Sequence, residues 1–343
     1  HSIFKVIDWL KAQNLGLATR LRLGWKLLHS PRKRKVAPGV QEAARVSGNR
    51  HSVARDQQAV TYHYDISNDF YALFLDKNLI YSCAYFEHDG EDLDTAQERK
   101  LDYLCRKLRL KPGERLLDIG CGWGGLVIHA AKQYGVEALG ITLSQPQVDL
   151  ANERIRQAGL SDRCRVEVRD YRQVSGTFDK LVSVGMFEHV GEDLLPAYFQ
   201  KAWDLLPEGG VFLNHGIGRN TNIPWNRRTT FLNRYVFPDG ELEPIHHTLQ
   251  EAEKVGFEVR DVESLREHYA LTLRHWMRHL EANHEKVLQC VSESTYRVWR
   301  LYMAGSVRGF DIGRVNLYQT LLVKAPRQSS GLPWTRADWY VGG

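Results

Sequence analysis

Two strand-like stretches of the sequence each end in a residue that can move a proton. FDKLVSV, residues 178–184, is followed by GMFEHVG, which places Glu188 and His189 directly after a buried strand. GGVFLNHGI, residues 209–217, carries His215 near its end. Open α/β sheets hold their ligands at the carboxyl edge of their parallel strands, so we expect Glu188 and His215 to meet there. His215 could donate to an anion, and Glu188 could orient it or accept a proton.

A glycine-rich turn follows the first predicted strand. ERLLDIG leads into Asp118-Ile-Gly120-Cys-Gly122-Trp-Gly124, and a helix is predicted directly after it. Glycines at alternate positions let a ligand approach the backbone closely, next to a helix N-terminus. The spacing is not G-x-G-x-x-G, and the Asp118 carboxylate would repel a pyrophosphate but suits a cationic ligand. The pattern resembles motif I of class I methyltransferases that use S-adenosylmethionine (SAM).

The other predicted cofactor contacts follow the second and third strands. Methyltransferases of this class often place an acid after the second strand to bind the ribose, but this chain has ITLSQPQ there. Hydroxyl and amide groups would have to serve instead, from the stretch that contains Thr142, Leu143, Ser144 and Gln147. After the third strand, Asp170 could bind the exocyclic amine of adenine, and Tyr171 could lie on the face of the base.

The order of predicted elements indicates an α/β fold. From about residue 113, strands and helices alternate, which is typical of a doubly wound, mostly parallel, Rossmann-like sheet. The last strand is predicted over NLYQTLLVKAP, residues 316–326, and residues 220–310 form a mostly helical insertion before it that could roof a pocket. We therefore expect a catalytic domain over residues 59–326 and a tail at 327–343 to which no role is assigned.

Residues 1–58 are predicted to form a helical, basic N-terminal segment. Apolar residues recur at helical spacing over residues 3–29, and PRKRK follows at 31–35. Such a stretch can lie on anionic lipid, although it could equally pack on its own protein with a charged face in solvent. We expect a lipid-handling region or its remnant. Since the chain begins at His1 without a methionine, we also expect a fragment or a processed form.

Composition and charge limit the class of protein. The 343 residues are 43% hydrophobic and 25% charged, as in globular proteins, and the net charge of +5 fits an anionic partner such as nucleic acid or an acidic membrane, or neither. Five cysteines without metal-ligand spacing indicate a reducing compartment. No apolar run is long enough to span a membrane. No metal site is predicted, because His246 and His247 have no ligand companions in sequence.

Several stretches together resemble the cyclopropane-fatty-acyl-phospholipid synthases and, more loosely, the mycolic acid cyclopropane synthases. The resemblance extends from about Tyr62 to Pro326. The stretches that carry it are HYDISNDFYALFLDKNLIYSCAYF (63–86), LDIGCGWGG (117–125), GITLSQPQ (140–147), VSVGMFEHVG (182–191) and RYVFPDGELEP (234–244).

The resemblance implies an enzyme that transfers the methyl group of SAM to a cis double bond in an acyl chain of an unsaturated phospholipid. A proton would then pass to a bound bicarbonate as a cyclopropane ring closes. It implies a homodimer in the cytoplasm, in peripheral contact with the inner face of the membrane. Tyr81 and Ser82 are assigned to the cofactor. The implied bicarbonate contacts are Cys83, Glu188, His215, the backbone of Ile217, and Tyr269.

The implied chemistry also makes demands on the pocket. Methyl transfer to an alkene leaves a cation on carbon, and water would quench it, so the pocket must be dry and offer aromatic faces. The candidates are Phe187, Tyr269, Trp276 and Tyr318. His189 is expected to support the structure rather than to react.

Other functions remain open on the sequence. Loss of the proton from an adjacent carbon would give a methylene-branched chain instead of a ring. A methyltransferase for a small amine would use a similar SAM site without bicarbonate. No nucleic-acid partner is predicted, since the chain lacks an Asn-Pro-Pro-Tyr-type base pocket and an aromatic–basic strand array. A non-enzymatic lipid-binding protein would leave the SAM motif without a use.

Overall fold

The structure is a computed structural model that describes residue 19 and residues 43–340, apart from residues 65, 223–230 and 328. The predicted amphipathic stretch at 3–29 and the basic run at 31–35 thus lie, except for residue 19, outside the described residues. Within the described part, no helix combines the length and the apolar character needed to cross a membrane.

Seven strands form one sheet in the order β3-β2-β1-β4-β5-β7-β6. The strands β1 to β5 pair in parallel, and β7 runs antiparallel to both β5 and β6. This confirms the predicted doubly wound, mostly parallel sheet of a class I SAM methyltransferase. The strands are β1 (Arg115–Ile119), β2 (Glu137–Thr142), β3 (Cys164–Val168), β4 (Lys180–Val184), β5 (Val211–Arg219), β6 (Glu258–Ser264) and β7 (Val315–Val323).

Helices join the strands and cover the sheet, and several begin at side-chain caps. Asp92 accepts a hydrogen bond from the N–H of Thr95, and Ser144 accepts one from the N–H of Gln147. The described helices are α1 (Val53–Tyr64), α2 (Asn68–Ala72), α3 (Leu93–Leu108), α4 (Gly125–Tyr134), α5 (Gln145–Gln157), α6 (Leu195–Leu205), α7 (Phe231–Tyr235), α8 (Ile245–Val255), α9 (Arg266–Ala282), α10 (His284–Cys290), α11 (Glu293–Asp311) and α12 (Ala337–Tyr340).

The alternation of side chains along β5 separates the two faces of the sheet. Leu213 packs into the apolar layer that contains α3, and Phe212 packs into the layer that contains α6. With a period of two, His215 shares the α3 face with Leu213, whereas Asn214 faces α6. The hydrogen bond of 3.0 Å from the Tyr198 hydroxyl of α6 to Asn214 Oδ1 agrees with this. The sheet therefore presents His215 toward α3.

The insertion predicted at 220–310 is less uniformly helical than expected. It contains α7 to α11, but also β6, which pairs with β7 over six residue pairs from Glu258 to Ser264. Four of the seven residues of EVRDVES are charged, and the strand lies at the edge of the sheet, so it lacks the apolar run that marks the inner strands. Aromatic side chains of α9 and α11 fill the layer above the sheet, with Trp276 and Trp299 fully buried.

The C-terminal tail, to which the sequence assigned no role, docks on α3. Trp339 of α12 is 2% exposed, and the Lys107 ammonium and the Arg109 guanidinium each lie 5.2 Å from its ring centroid. Arg109 also donates to Asp338 at 2.6 Å. Trp334, five residues earlier, is 100% exposed. The tail is therefore held by one buried indole ring and its surrounding cations.

We expect Trp339→Ala to lower the free energy of unfolding by about 3 kcal/mol, because it removes a buried aromatic ring. Trp334→Ala is the matched control in the same tail and should change it by less than about 0.5 kcal/mol. Urea unfolding followed by circular dichroism measures both. If both substitutions lowered the free energy of unfolding equally, the docking of the Trp339 ring would not stabilise the fold.

Candidate active site

A cleft lies at the carboxyl edge of β1, β2 and β4. Its walls come from the turn after β1, the end of β2, the segment after β3 and the turn after β4. Most residues that the sequence predicted to bind the cofactor therefore share one surface. Those that line the cleft are Tyr81, Ser82, Asp118, Gly120, Gly122, Thr142, Leu143, Gln147, Asp170 and Tyr171.

The turn after β1 depends on glycine at two positions. Gly120 has a φ of +86°, and a β-carbon on it would lie 2.6 Å from Cβ of Met186. Gly122 has a φ of +54°, and a β-carbon there would meet no atom within 4 Å. The missing side chains leave a cradle in which a ligand can approach the backbone.

Asp118 supplies the negative charge in this cradle. It is 2% exposed, and its Oδ1 has no hydrogen-bond partner among the described residues. Burial raises the pKa of its carboxyl to about 7, although nearby Lys100 lowers it. A buried carboxylate without a partner is costly, and a cationic ligand would stabilise it. The cradle and this unpartnered oxygen fit SAM, which carries a sulfonium and an ammonium group.

Two predicted cofactor residues do not line the cleft. Ser144 caps α5 through its bond from the Gln147 N–H. Gly124 precedes α4 with a φ of +76°, and a β-carbon on it would lie 3.1 Å from Cβ of Ala151. Both residues shape the turns behind the cleft. Thr142 donates to Gln147 Oε1 at 2.7 Å, so this hydroxyl orients an amide that does face the cleft.

Asp170 and Tyr171 form the far wall of the cleft together with Arg172. Arg172 donates to Asp170 through Nε at 2.7 Å and through Nη2 at 2.6 Å, and its guanidinium lies 5.3 Å from the Tyr171 ring centroid. It also donates to Asp56 at 2.9 Å. The acid predicted to meet the adenine amine is thus already paired with a cation. A carboxylate has about four acceptor positions, so Asp170 keeps capacity for a further donor.

Glu188 lies beyond the cofactor cleft, in the turn after β4. Its Oε1 accepts a hydrogen bond of 2.7 Å from the Ile217 N–H, while its buried Oε2 has no partner among the described residues. Burial raises the pKa of the carboxyl to about 7, and the bond from Ile217 opposes this. The strand ends thus bring Glu188 and Ile217 together and leave one carboxylate oxygen without a partner among the described residues.

Tyr64, Tyr269 and Tyr302 lie within electrostatic reach of the Glu188 carboxylate. Burial raises the pKa values of Tyr64, Tyr269 and Tyr302, and the charge of Glu188 contributes to each increase. The charge of Cys83 also raises the pKa of Tyr269, so Tyr269 lies within electrostatic reach of both Cys83 and Glu188. Tyr64 lines the cofactor cleft and also lies within electrostatic reach of Glu188.

Cys83 is fully buried, and burial raises the pKa of its thiol far above the usual range. Its Sγ donates to the carbonyl of Ala84 at 3.2 Å. A thiol that stays protonated is a poor nucleophile, so the structure favours a polar wall contact for Cys83 over covalent chemistry.

His215 and Glu188 form no hydrogen bond with each other among the described residues, so the expectation that they meet at the strand ends stays a prediction. His215 Nδ1 lies 3.2 Å from Gln319 Nε2 of β7. Burial lowers the pKa of the imidazole well below its usual value, and the positive charges of Lys100 and Lys107 lower it further. Its buried Nε2 has no partner among the described residues. His215 is therefore neutral and faces α3, where it could still donate to an anion.

Only part of the predicted aromatic set lies near Glu188. Trp276 packs at 6.0 Å from Tyr269 and at 5.0 Å from Tyr81, measured between ring centroids. Phe187 and Tyr318 instead line a separate small cleft on the α6 face of the sheet. Neither ring lines the cofactor cleft, and β7 turns Tyr318 to the face opposite Leu317.

His247 also differs from its prediction, because it has companions that the sequence did not reveal. It lies in α8, and its Nδ1 is 3.0 Å from Glu243 Oε2. A carboxylate oxygen of Glu192, a carboxylate oxygen of Glu243 and a ring nitrogen of His247 lie within 4.8 Å of one another. Its Nε2 is 3.6 Å from Glu251 as well, so the imidazole takes part in a cluster of carboxylates.

The sequence analysis missed Tyr64, Tyr302 and Lys100. Tyr64 lies in the HYDISNDFY stretch, where its position within a quoted motif could have suggested a role. Tyr302 lies in a helix whose other aromatic residues are core residues. Lys100 is 1% exposed on α3 and lines the cofactor cleft, which no pattern in LDTAQERKLDYLCRKL indicates.

Comparison with known proteins decides the family. The model of the mycolic acid cyclopropane synthetase family matches residues 51–320. The chain belongs to this family. It is 48% identical to the "Probable fatty acid methyltransferase" of Pseudomonas putida over 84% of this chain and 75% of that protein. It is 37% identical to cyclopropane mycolic acid synthase 1 of Mycobacterium tuberculosis over 76% of this chain and 94% of that protein.

Solved structures agree with this membership. The cyclopropane synthase MmaA2 from Mycobacterium tuberculosis superimposes with a TM-score of 0.75 at 34% identity, over 78% of this chain and 97% of the other. Mycolic acid cyclopropane synthase CmaA1, complexed with SAH (S-adenosylhomocysteine) and CTAB, superimposes with a TM-score of 0.74 at 36% identity, over the same shares. The protein is therefore a SAM-dependent methyltransferase of the cyclopropane synthase family.

Gly120→Ala should weaken the binding of SAH at least about tenfold, a change of about 1.4 kcal/mol. The added β-carbon must displace either Met186 or the turn that forms the cradle. Gly113→Ala is the matched control, because Gly113 also has a positive φ, of +80°, but no atom within 4 Å and no place in the cleft.

Both variants should lose about 1–2 kcal/mol of stability from the left-handed backbone, but only Gly120→Ala should lose affinity. Isothermal titration calorimetry with SAH and urea unfolding measure the two quantities. Unchanged affinity in Gly120→Ala, or an equal loss in Gly113→Ala, would contradict the role of the cradle.

Proposed function

We propose that the protein transfers the methyl group of SAM to the cis double bond of an unsaturated phospholipid acyl chain and closes a cyclopropane ring, with a bound bicarbonate as the proton acceptor. The family supports this proposal, because relatives that share 37% to 48% of their residues with it are named as cyclopropane mycolic acid synthase 1 and as a fatty acid methyltransferase. The phospholipid is the finer part of the proposal and rests on the sequence resemblance.

The observation that carries the proposal is the buried Glu188 carboxylate. It keeps one oxygen without a partner among the described residues, within electrostatic reach of Tyr64, Tyr269 and Tyr302, and its neighbours in the turn after β4 line a cleft that fits SAM. A polar amine substrate would need several well-placed hydrogen-bond partners, whereas an alkene needs none. An alkene does need a dry pocket in which a developing positive charge is stabilised.

The residues of the chain divide this task. SAM, when bound, supplies an electrophilic methyl group. The faces of Tyr64, Tyr269 and Trp276 exclude water and stabilise positive charge that develops on the acyl carbon. The Glu188 carboxylate adds a full negative charge nearby, and the Ile217 N–H holds it in place. The neutral His215 can donate from Nε2 to an anion without itself taking up a proton.

The residues assigned to bicarbonate fit that anion in part. The Ile217 N–H is already donated to Glu188, and the Cys83 thiol already donates to the Ala84 carbonyl. His215 Nε2 remains without a partner among the described residues, and the Tyr269 hydroxyl lies within reach of Glu188 and Cys83. Bicarbonate would supply a proton acceptor in this pocket.

The proposal extends to the location of the enzyme. A phospholipid substrate requires contact with a membrane surface, and we propose peripheral contact with anionic lipid on the cytoplasmic face, as a homodimer. The basic run at 31–35 and the net charge of +5 support electrostatic binding that weakens with salt.

The product identifies the reaction. The protein is incubated with SAM that carries a labelled methyl group and with liposomes of cis-monounsaturated phospholipid, with and without bicarbonate. The acyl chains are then analysed by mass spectrometry and NMR. We expect labelled cyclopropane whose formation depends on bicarbonate.

Other products have distinct meanings. A methylene-branched chain would keep the role of the Glu188 carboxylate but change the carbon that loses the proton. Cyclopropane formed at the same rate without bicarbonate would contradict the bicarbonate part. No labelled lipid from protein that binds SAH would overturn the lipid substrate and favour a small-molecule acceptor.

The rate should also depend on the charge of Glu188. Its pKa is raised to about 7, so the carboxylate is populated only above that pH, and kcat at saturating SAM should rise with pH until about 7 and then level off. Saturation is needed because Asp118 titrates in the same range and acts on cofactor binding.

Glu188→Gln should lower kcat at least about 100-fold and abolish this pH dependence. Asp193→Asn, an exposed change in the next turn, is the control and should retain both the rate and the profile. A Glu188→Gln enzyme with the wild-type profile would show that another group titrates.

A further inference from the structure

Lys100 is a buried cation at the wall of the cofactor cleft. Its side chain extends from α3, is 1% exposed, and donates from Nζ to the Ser82 hydroxyl at 3.0 Å. Burial lowers its pKa to about 8, and the charges of Asp76, Cys83 and Asp118 act in the opposite direction. An ammonium has three protons to donate, and the bond to Ser82 uses one of them.

No carboxylate neutralises this ammonium directly. Among the residues that the structure describes, none of the ion pairs within 4 Å includes Lys100. Asp76 is the charge that most strongly raises the pKa of Lys100. Its two carboxylate oxygens accept hydrogen bonds from the N–H groups of Asn78 and Ile80, each at 2.8 Å. A buried charge is normally paired, because its desolvation is otherwise uncompensated. The cleft therefore holds a cation whose natural partner would be an anionic group of a ligand.

The other cations that line the cleft are already paired. Arg172 is held by Asp170 and Asp56, and Arg169 forms an ion pair of 2.7 Å with Glu167. Both arginines belong to the wall after β3. Lys100 comes from α3 instead, beside Ser82 and within electrostatic reach of Asp118. The cleft thus carries one buried cation and one buried anion near the same end, a pattern that is complementary to an amino-acid zwitterion.

We propose that Lys100 binds the α-carboxylate of the amino-acid part of SAM, with the Ser82 hydroxyl as a second donor. Ser82 accepts from Lys100 and so keeps its own proton to donate to the same carboxylate. Asp118 would face the ammonium of the same group. This inference rests on the proposed function only in that SAM is the ligand of the cleft, and it adds a binding residue that the motif does not contain.

The test compares two ligands that differ in this carboxylate. Isothermal titration calorimetry gives the Kd of SAH and of its decarboxylated analogue for the wild type, Lys100→Met and Lys100→Arg. Lys180→Met is the matched control, because Lys180 is also a buried lysine, 8% exposed, but lies at the start of β4 beside Glu114. Circular dichroism and thermal unfolding establish that each variant is folded.

We expect Lys100→Met to weaken SAH about 10- to 100-fold, as for the loss of a hydrogen bond to a charged group. The decarboxylated analogue should bind the wild type and Lys100→Met with the same affinity, within about twofold. Lys100→Arg should recover part of the affinity for SAH, and Lys180→Met should bind like the wild type.

Three results would overturn the proposal. Equal weakening of both ligands in Lys100→Met would show that Lys100 only supports the shape of the cleft. Unchanged SAH affinity together with loss of the bicarbonate dependence of turnover would assign the ammonium to bicarbonate instead. A decarboxylated analogue that binds the wild type as tightly as SAH would show that the carboxylate is not recognised. Failure of the wild type to bind SAH at all would instead refute the SAM site, and with it the proposed function.

Discussion

The exclusion of water from the carboxyl edge of the sheet is the constraint on which the site depends. Asp118, Glu188, Lys100 and His215 are all buried there, and burial is the largest cause of the pKa shift in each. The two carboxyls move up to about 7 and the lysine moves down to about 8, so each lies near neutrality. At the protein surface, these side chains would keep one protonation state near pH 7. In this buried site they can gain or lose a proton when a ligand binds.

The aromatic layer produces this exclusion. Helices α9 and α11 contribute fully buried tryptophans, α2 contributes Phe70 and Tyr71, and Phe74 follows α2 in the same cluster. These rings stabilise the fold by burial and at the same time form a largely apolar wall. The same packed aromatic layer thus stabilises the fold and keeps water out of the proposed reaction site. It also explains why many core aromatics lie near a site whose buried charges Asp118, Glu188 and Lys100 come from strand ends and from α3.

The parallel part of the fold was predictable from the sequence because its signals are local. A short apolar run such as LVSV predicts a buried strand, and the glycine spacing at Asp118–Gly124 predicts a turn, each from only a few residues. The edge strand β6 was not predictable, because a strand in which four of seven residues are charged is recognised only through its pairing with β7. The same limit applies to side chains. Glu188 follows a strand, so its place was predictable, whereas Lys100 reaches the cleft only because α3 packs across the sheet.

The position of His215 shows how strand geometry limits a prediction based on strand ends. Glu188 leaves β4 in a turn and reaches back to the N–H of Ile217, whereas His215 remains within β5 and points toward α3. Two residues at the same edge can thus make different contacts. For the proposed chemistry this difference has an advantage, because His215 Nε2 and Glu188 Oε2 both lack a partner among the described residues. The neutral imidazole can therefore bind an anion while the carboxylate oxygen remains free to face the developing cation.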